Sequence, residues 1–231
     1  MTAFVLIHGS GQNSGCWARV GELLSASGHA VAIPELPKRA PDLGLAAYAA
    51  GIAKTVVQPR TIIVAHSFSG IFLPLVAHAV DCAQLVFLAA VIPEPGKSVR
   101  QQFGEDAGMF HRDWIDAGPR WFETSQVEGV AREFLFHDCD EATMPWALDT
   151  VELFDTRHLV TEPAPFTEWP GVPSASIVCT QDRTLTPQWI RKMSVRRGMP
   201  IVELQAGHCP HVSRPADVAR ILEQLAAEQA A

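Results

Sequence analysis

The chain has 231 residues, of which 48% are hydrophobic and 19% are charged, with 16 Gly and 17 Pro. This composition excludes a disordered chain, a collagen-like repeat and a coiled coil, and the length predicts one α/β domain with an insertion. The formal net charge of −7 comes without a basic stripe interleaved with aromatic residues. Neither nucleic acid nor an anionic membrane is therefore expected as a partner, and the expected ligand is a small molecule.

The five cysteines are an odd number, widely spread and without a C-x-x-C pair, which predicts reduced thiols rather than disulfides or a zinc ribbon. The apolar runs are strand-sized, so no membrane-spanning segment is predicted. The first residues lack the basic region of a secretory signal, which makes the cytoplasm the expected location. The sequence leaves a monomer and a homodimer open.

Short runs rich in β-branched residues alternate with helical patterns along most of the chain. This alternation predicts parallel strands joined by right-handed crossovers, that is, a doubly wound α/β sheet of about six strands. All six strands are expected to be buried on both faces. The predicted strands are 4–7, 30–33, 61–65, 84–89, 176–180 and 201–204, and the predicted helices are 15–27, 43–56, 67–80, 187–197 and 215–227.

The alternation stops between residues 93 and 173, where the sequence becomes helical, Pro-punctuated and aromatic. We interpret residues 93–173 as a helical cap inserted into a core formed by residues 1–92 and 174–231. Ligands of open α/β sheets bind at the carboxyl ends of the strands, so some cap aromatics should contact the substrate, and we select Trp114 and Trp146. The aromatic residues of the insertion are Phe103, Phe110, Trp114, Trp121, Phe122, Phe134, Phe136, Trp146, Phe154, Phe166 and Trp169.

Ser67 stands where a hydrophobic predicted strand meets a predicted helix. A serine on such a sharp turn has an exposed hydroxyl, and the turn tolerates only small residues two positions to either side. Ala65 and Ser69 meet that requirement, although Gly is usual at both positions. The pattern predicts a catalytic nucleophile, and its plain structural alternative is a serine that caps the following helix.

A serine nucleophile needs an imidazole to accept its proton and a carboxylate to orient that imidazole. Asp182 follows the fifth predicted strand and His208 follows the sixth, in the chain order Ser, acid, base. His211 is the competing base, but Gly207 before His208 and the helix after it favour His208. The competing carboxylates of the insertion are Asp106, Asp113 and Asp138.

Acyl transfer also requires two N–H donors for the developing oxyanion. The backbone N–H of Phe68 is one candidate, and the N–H of Ser10, in the Gly-rich loop after the first strand, is the other. Gly9 of the same loop is expected to contact the substrate. A dinucleotide-binding loop is rejected because Gly9-Ser10-Gly11 lacks the third glycine of that motif. The segment His208-Cys209-Pro210-His211 has no second cluster of ligands, so no metal site is predicted.

These motifs together resemble the α/β-hydrolase superfamily, and most of all the small plant methylesterases and hydroxynitrile lyases and their bacterial esterase relatives. The resemblance covers nearly the whole chain and is weakest in the insertion. It implies a Ser67–His208–Asp182 triad that cleaves esters through an acyl-enzyme, with no metal or organic cofactor. The matching segments are 4–10, Trp17, Gly28-His29, 65–70, 178–182, Gly207-His208, 213–215 and, in the insertion, 136–139 with 146–148.

Two departures from the lyases favour hydrolysis. The lyases of this group have Thr at the position of Gly9 and Lys at the position of Cys209, where the lysine supplies positive charge to departing cyanide. The sequence therefore predicts a hydrolase of small, largely apolar carboxylic esters. A lyase or lactonase on the same fold and a non-catalytic receptor for a small ligand remain the alternatives.

Overall fold

The computed structural model describes residues 1–153 and 155–229, without the side chain of Phe122. Its centre is a six-stranded sheet in the order β2-β1-β3-β4-β5-β6, and every neighbouring pair is parallel. The predicted α/β fold with a six-stranded parallel sheet is confirmed. The strands are β1 Ala3–Ile7, β2 Ala30–Ala32, β3 Thr61–His66, β4 Cys82–Leu88, β5 Ser174–Cys179 and β6 Ile201–Leu204.

The expectation that all six strands are buried on both faces is wrong for the two edges. All three residues of β2 are half-buried, and β6 has one exposed and two half-buried residues among its four. Each of these strands has a single neighbour, so one side of it faces away from the sheet. By contrast, all six residues of the central strand β3 are buried.

Helices cover both faces of the sheet, as side-chain alternation along the strands requires. Phe4 and Leu6 of β1 pack in one core with the helices Ala18–Ala26 and Pro215–Glu228, whereas Val5 and Ile7 pack in a second core with the helices Leu45–Ala53, Leu73–Ala79 and Pro187–Arg196. The helices outside the insertion are α1 Ala18–Ala26, α2 Leu45–Ala53, α3 Leu73–Ala79, α8 Pro187–Arg196, α9 Pro210–Ser213 and α10 Pro215–Glu228. Short 3₁₀ helices, Ser14–Trp17 and Ser67–Phe72, precede α1 and α3.

The strand order reverses between β1 and β3, which are neighbours although β2 lies between them in the chain. A crevice opens at the carboxyl ends of the strands at such a switch point. The loops after β1, β3, β5 and β6 meet there, and they carry Ser10, Ser67, Asp182 and His208 respectively.

The chain between β4 and β5 is helical, and its division from the core into a separate cap stays a prediction. Phe154 of the predicted aromatic set lies outside the described residues. Among the helices of the described part of the chain, none has the length and apolar character needed to cross a bilayer. The helices between β4 and β5 are α4 Val99–Glu105, α5 Arg112–Ala117, α6 Val127–Val130 and α7 Met144–Asp149, with 3₁₀ turns at Ala107–Met109 and Gly118–Phe122 and a π-helix at Ala131–Leu135.

Candidate active site

Ser67 lies on a strained turn between β3 and the helix that follows. Its φ of 55° is in the left-handed region, which a residue with a side chain rarely occupies and which costs about 1–3 kcal/mol. The backbone N–H of Val91 donates to the Ser67 carbonyl at 3.0 Å and helps to hold this conformation. The hydroxyl of Ser67 is thereby presented at the carboxyl end of the sheet.

The residues around Ser67 are small because the backbone at Val91 passes close to the turn. A Cβ built on Gly70 would lie 2.2 Å from the Val91 carbonyl oxygen, so this position requires glycine. Ser69 replaces the usual glycine and is fully buried, and its hydroxyl donates to the His8 carbonyl at 2.6 Å. The serine therefore ties the turn to the loop after β1 without opening the turn.

The side chains of Ser67, His208 and Asp182 form a hydrogen-bonded chain. His208 Nε2 lies 2.9 Å from Ser67 Oγ, and His208 Nδ1 lies 2.8 Å from Asp182 Oδ2. Because a carboxylate only accepts hydrogen bonds, Nδ1 carries the ring proton and Nε2 is free to accept the proton of Ser67. His208 and Asp182 are both buried, so water competes little for these contacts.

Thr184 adds a hydroxyl to this pair, and sequence reasoning did not find it. Its Oγ1 donates to Asp182 Oδ1 at 3.0 Å and lies 2.7 Å from His208 Nδ1. The His208 Nδ1–H group is thus shared between two acceptors, Asp182 Oδ2 and Thr184 Oγ1. The Thr184 backbone N–H also donates to Asp182 Oδ1 at 2.7 Å. A threonine two residues after an acid is a weak signal in sequence, because such Asx-type contacts are common in turns.

The rival base and the rival acids Asp106 and Asp138 have partners other than Ser67, His208 and Asp182. His211 Nε2 lies 3.1 Å from Gln12 Oε1, and its ring stacks on Trp17 at a centroid distance of 4.4 Å. Asp106 pairs with Lys192 at 2.9 Å, and Asp113 is exposed on α5. Asp138 accepts hydrogen bonds from the Gly207 N–H and the Ser213 hydroxyl, at 2.8 Å each.

Gly9, Ser10 and Phe68 all line the cavity in which Ser67 lies. A Cβ built on Gly9 would be 2.9 Å from both Ser67 Cβ and His66 Nδ1, so the loop passes directly against Ser67. This close approach leaves room for the loop only because residue 9 is glycine.

A network behind the loop fixes its position. Burial, followed by the positive charge of Lys38, lowers the pKa of His8 to about 4, so the ring is neutral near pH 7. Its Nδ1 donates to the Gly9 carbonyl at 2.9 Å, and its Nε2 accepts the Leu36 N–H at 3.1 Å. Lys38 Nζ in turn donates to the Gln12 carbonyl at 2.6 Å.

The cavity above Ser67 has a volume of about 320 Å³, at the lower end of the range for small-molecule sites. Trp114 lines it, and its contact with a substrate stays a prediction. Trp146 does not line it, because its ring lies under the Arg19 guanidinium at 4.1 Å and packs against the core on the α1 side of the sheet. The apolar residues along the wall are Val91, Phe110, Trp114, Ile115, Trp121, Leu135, Leu153 and Leu185.

Beneath the triad lie three buried side chains of types that bind metals, namely His66, Cys209 and His211, with ligand atoms within 4.8 Å of one another. His66 Nε2 donates to the His208 carbonyl at 2.8 Å, and His211 Nε2 donates to Gln12. Burial raises the pKa of the Cys209 thiol far above its usual value, so the neutral thiol is favoured over a nucleophilic thiolate. These side chains support the base loop by packing and hydrogen bonding.

Comparison with known proteins gives a family match over almost the whole chain. The model of the Alpha/beta hydrolase family matches residues 4–221. A protein described as probable esterase PIR7A, from Oryza sativa subsp. indica, is 34% identical over 107 residues, which are 41% of this chain and 41% of that protein.

Solved structures with the same fold cover the chain nearly end to end. A pyrethroid hydrolase from Sphingobium faniae JZ-2 superposes with a TM-score of 0.81 at 23% identity, over 97% of each chain. A methylesterase from Arabidopsis, MES16, superposes with a TM-score of 0.78 at 14% identity, over 98% of this chain and 99% of that one. At these identities the likeness establishes a shared fold.

Proposed function

The chain belongs to the Alpha/beta hydrolase family, as its sequence predicted, and we propose that it is a serine hydrolase of small, largely apolar carboxylic esters. One observation carries the proposal. The His208 imidazole lies between Asp182 Oδ2 and Ser67 Oγ at hydrogen-bond distances from both, at the base of an apolar cavity. This is the arrangement that nucleophilic catalysis by a serine requires.

The proposed reaction passes through an acyl-enzyme. His208 Nε2 removes the proton of Ser67 as Oγ attacks the ester carbonyl, and the backbone N–H groups of Phe68 and Ser10 stabilise the oxyanion. His208 then gives its proton to the leaving alkoxide oxygen as the ester bond breaks. In the second half, His208 removes a proton from water and the hydroxide attacks the acyl carbon. The bond between that carbon and Ser67 Oγ then breaks, His208 returns the proton to Oγ, and the carboxylic acid leaves.

The cavity limits the substrate by size and polarity. A volume of about 320 Å³ holds a short acyl or alcohol group, and its wall is formed largely by aromatic and aliphatic side chains. Burial of an apolar group against that wall stabilises binding by roughly 25 cal/mol per Å² of surface removed from water. We therefore propose a small ester with at least one apolar substituent.

Two features of the site favour hydrolysis over the lyase alternative. Among the described residues that line the cavity, none is Lys or Arg, so a departing cyanide would find no cationic side chain. The threonine of the lyases would also have to fit at Gly9, where even a Cβ would be 2.9 Å from Ser67 Cβ. Assays of aryl esters, lactones and cyanohydrins side by side separate these activities.

The nucleophile is tested by Ser67→Ala. We expect kcat on an aryl ester to fall by a factor on the order of 10⁴ or more, because the members of a triad act as a unit. Labelling with a fluorophosphonate should map to the peptide that contains Ser67 in the wild type and disappear in the variant. A correctly folded variant that retains turnover would contradict the assignment.

Ser10→Ala is the matched control. It removes a second hydroxyl from the same cavity but keeps the backbone N–H that we assign to the oxyanion hole. Activity should therefore stay within about threefold of the wild type, and fluorophosphonate labelling should remain. A protein that binds an apolar ester without cleaving it and without reacting with the phosphonate would instead be a receptor.

A further inference from the structure

We propose that His137 and Asp138, in the chain between β4 and β5, form a clip that positions the acid loop and the base loop of the triad. The inference rests on the proposed serine hydrolase function. Neither residue touches Ser67 or the cavity, so both are positioning residues that act through the backbone next to Asp182 and His208.

Asp138 holds the base loop. Its Oδ2 accepts the backbone N–H of Gly207 at 2.8 Å, and Gly207 immediately precedes His208. The same oxygen accepts the hydroxyl of Ser213 at 2.8 Å, from α9 just after the base. One carboxylate oxygen thus contacts the chain on both sides of His208.

His137 holds the acid loop. Its Nε2 donates to the Gln181 carbonyl at 3.0 Å, and Gln181 immediately precedes Asp182. Because a carbonyl only accepts, Nε2 carries the proton and the neutral ring suffices for this contact. Two consecutive residues of the insertion therefore bind the residues directly before the acid and directly before the base.

The clip also explains why the residue before His208, Gly207, is a glycine. A Cβ built on Gly207 would lie 2.6 Å from Asp138 Oδ1 and 2.8 Å from His137 Nε2, so a side chain there would push the clip away. The two loops are also joined by the Gln181 N–H, which donates to the Ala206 carbonyl at 3.0 Å. The sheet thus fixes the loops from one side, and the clip fixes them from the side of the insertion.

The clip bears on catalysis because a triad tolerates little displacement. Small misplacements of a catalytic group, on the order of 1 Å, can cost about 10²-fold in rate. Loss of the Asp138 contacts frees the backbone on either side of His208, whereas Asp182 stays bonded to Thr184. The separation of His208 Nδ1 and Asp182 Oδ2, which is 2.8 Å here, then ceases to be fixed.

The test compares three substitutions in the insertion. Asp138→Ala should lower kcat on an aryl ester by about tenfold or more while KM changes little, since the cavity is not touched. Asp138→Asn keeps an oxygen that accepts from Gly207 and Ser213, so it should restore most of the activity. Asp140→Asn is the control, because Asp140 accepts from the Thr143 N–H at 2.7 Å within the same segment but contacts neither loop.

A second readout needs no substrate. The proton shared by His208 Nδ1 and Asp182 gives a far-downfield resonance in the proton NMR spectrum, which should shift or broaden in Asp138→Ala and stay in place in the other two variants. If Asp138→Ala does not fold, His137→Ala removes the other contact of the clip, the hydrogen bond to the Gln181 carbonyl in the acid loop. We expect this variant to lower kcat and alter the same resonance.

A folded Asp138→Ala protein with wild-type kcat and an unchanged resonance would overturn the clip. An asparagine variant as defective as the alanine variant would also overturn it, since the acceptor atom would then not be what matters. If the wild type cleaves no ester, the proposed function fails, and the resonance still decides whether the clip sets the His208–Asp182 contact.

Discussion

Thr184 joins both members of the acid–base pair through one hydroxyl group. Its Oγ1 donates to Asp182 Oδ1 and receives part of the N–H bond of His208 Nδ1, so it closes a ring of hydrogen bonds around the carboxylate. Thr184 is 2% exposed, and water would not readily replace the hydroxyl. The carboxylate is therefore oriented by two contacts from one residue, the backbone N–H and the side chain.

Thr184→Val tests this role, because valine has nearly the same shape but no hydroxyl. Hydrogen bonds to charged groups contribute about 1.5–3 kcal/mol, so we expect kcat/KM on an aryl ester to fall by about 10- to 100-fold. Thr184→Ser keeps the hydroxyl and loses only a methyl group, and it should retain most activity. Equal losses in both variants would mean that Thr184 matters for packing alone.

At the scale of single elements, strands are the features that sequence predicts best. The six predicted strands all exist, because each is a run of β-branched and apolar residues between turn residues, a signal that is local. The exposure of β2 and β6 is not predictable from the strands themselves, because an edge position depends on which strands pair in the sheet, and no single strand encodes that.

The residues of the site also divide into those with a local signal in the sequence and those whose role depends on long-range contacts. Ser67, Asp182 and His208 are predictable because each follows a recognisable strand in a fixed order. Thr184, His137 and Asp138 are not, since their contacts join segments that only the folded chain brings together. Composition also does not show whether an aromatic residue of the insertion faces the cavity or the core. For this reason the sequence predicts both Trp114 and Trp146 as substrate contacts, although only Trp114 of the two lines the cavity.

Trp114 and Trp146 offer a matched test of how the insertion contributes to specificity. Trp114 lines the cavity and packs edge-on against Trp121 and Phe134, whereas Trp146 lies under Arg19 away from the cavity. We expect Trp114→Ala to change the ratio of kcat/KM for bulky and short esters by about tenfold or more, as contacts in apolar pockets do.

Trp146→Ala should leave that ratio unchanged and lower the free energy of unfolding by about 1 kcal/mol or more, through loss of the cation–π contact and of packing. Steady-state kinetics on an ester series and urea unfolding of both variants give the two quantities. Equal shifts of the ratio in both variants would show that the insertion acts on specificity through its stability.

For the whole molecule, the insertion is part of the framework of the site. It is hydrogen-bonded to the loop after β1 through Asn13 N–H and the Thr150 carbonyl at 2.9 Å, and to the acid loop through His111 N–H and the Thr184 carbonyl at 2.9 Å. Asp138 connects the insertion to the base loop by accepting the Gly207 N–H. The geometry of the proposed triad therefore depends on contacts from both the sheet and the insertion.

Folding also buries three neutral histidines around the candidate site, namely His8, His66 and His211. Burial is the main cause that lowers the pKa of each, and neighbouring groups add to it, namely Lys38 for His8 and other histidines for His66 and His211. In the unfolded chain their pKa values return to about 6.5. Below that pH the unfolded state binds protons that the folded state does not.

The protein should therefore lose stability as the pH falls from about 6.5 to 5, with little change from these groups above pH 7. Each proton taken up only by the unfolded state contributes about 1.4 kcal/mol per pH unit, so three contribute up to about 4 kcal/mol per pH unit. Urea unfolding at pH 7.5, 6.0 and 5.0 measures this slope. His211→Gln should reduce the slope by about one proton whatever its effect on stability at pH 7.5. The same slope in the variant and the wild type would mean that His211 takes up its proton in the folded state.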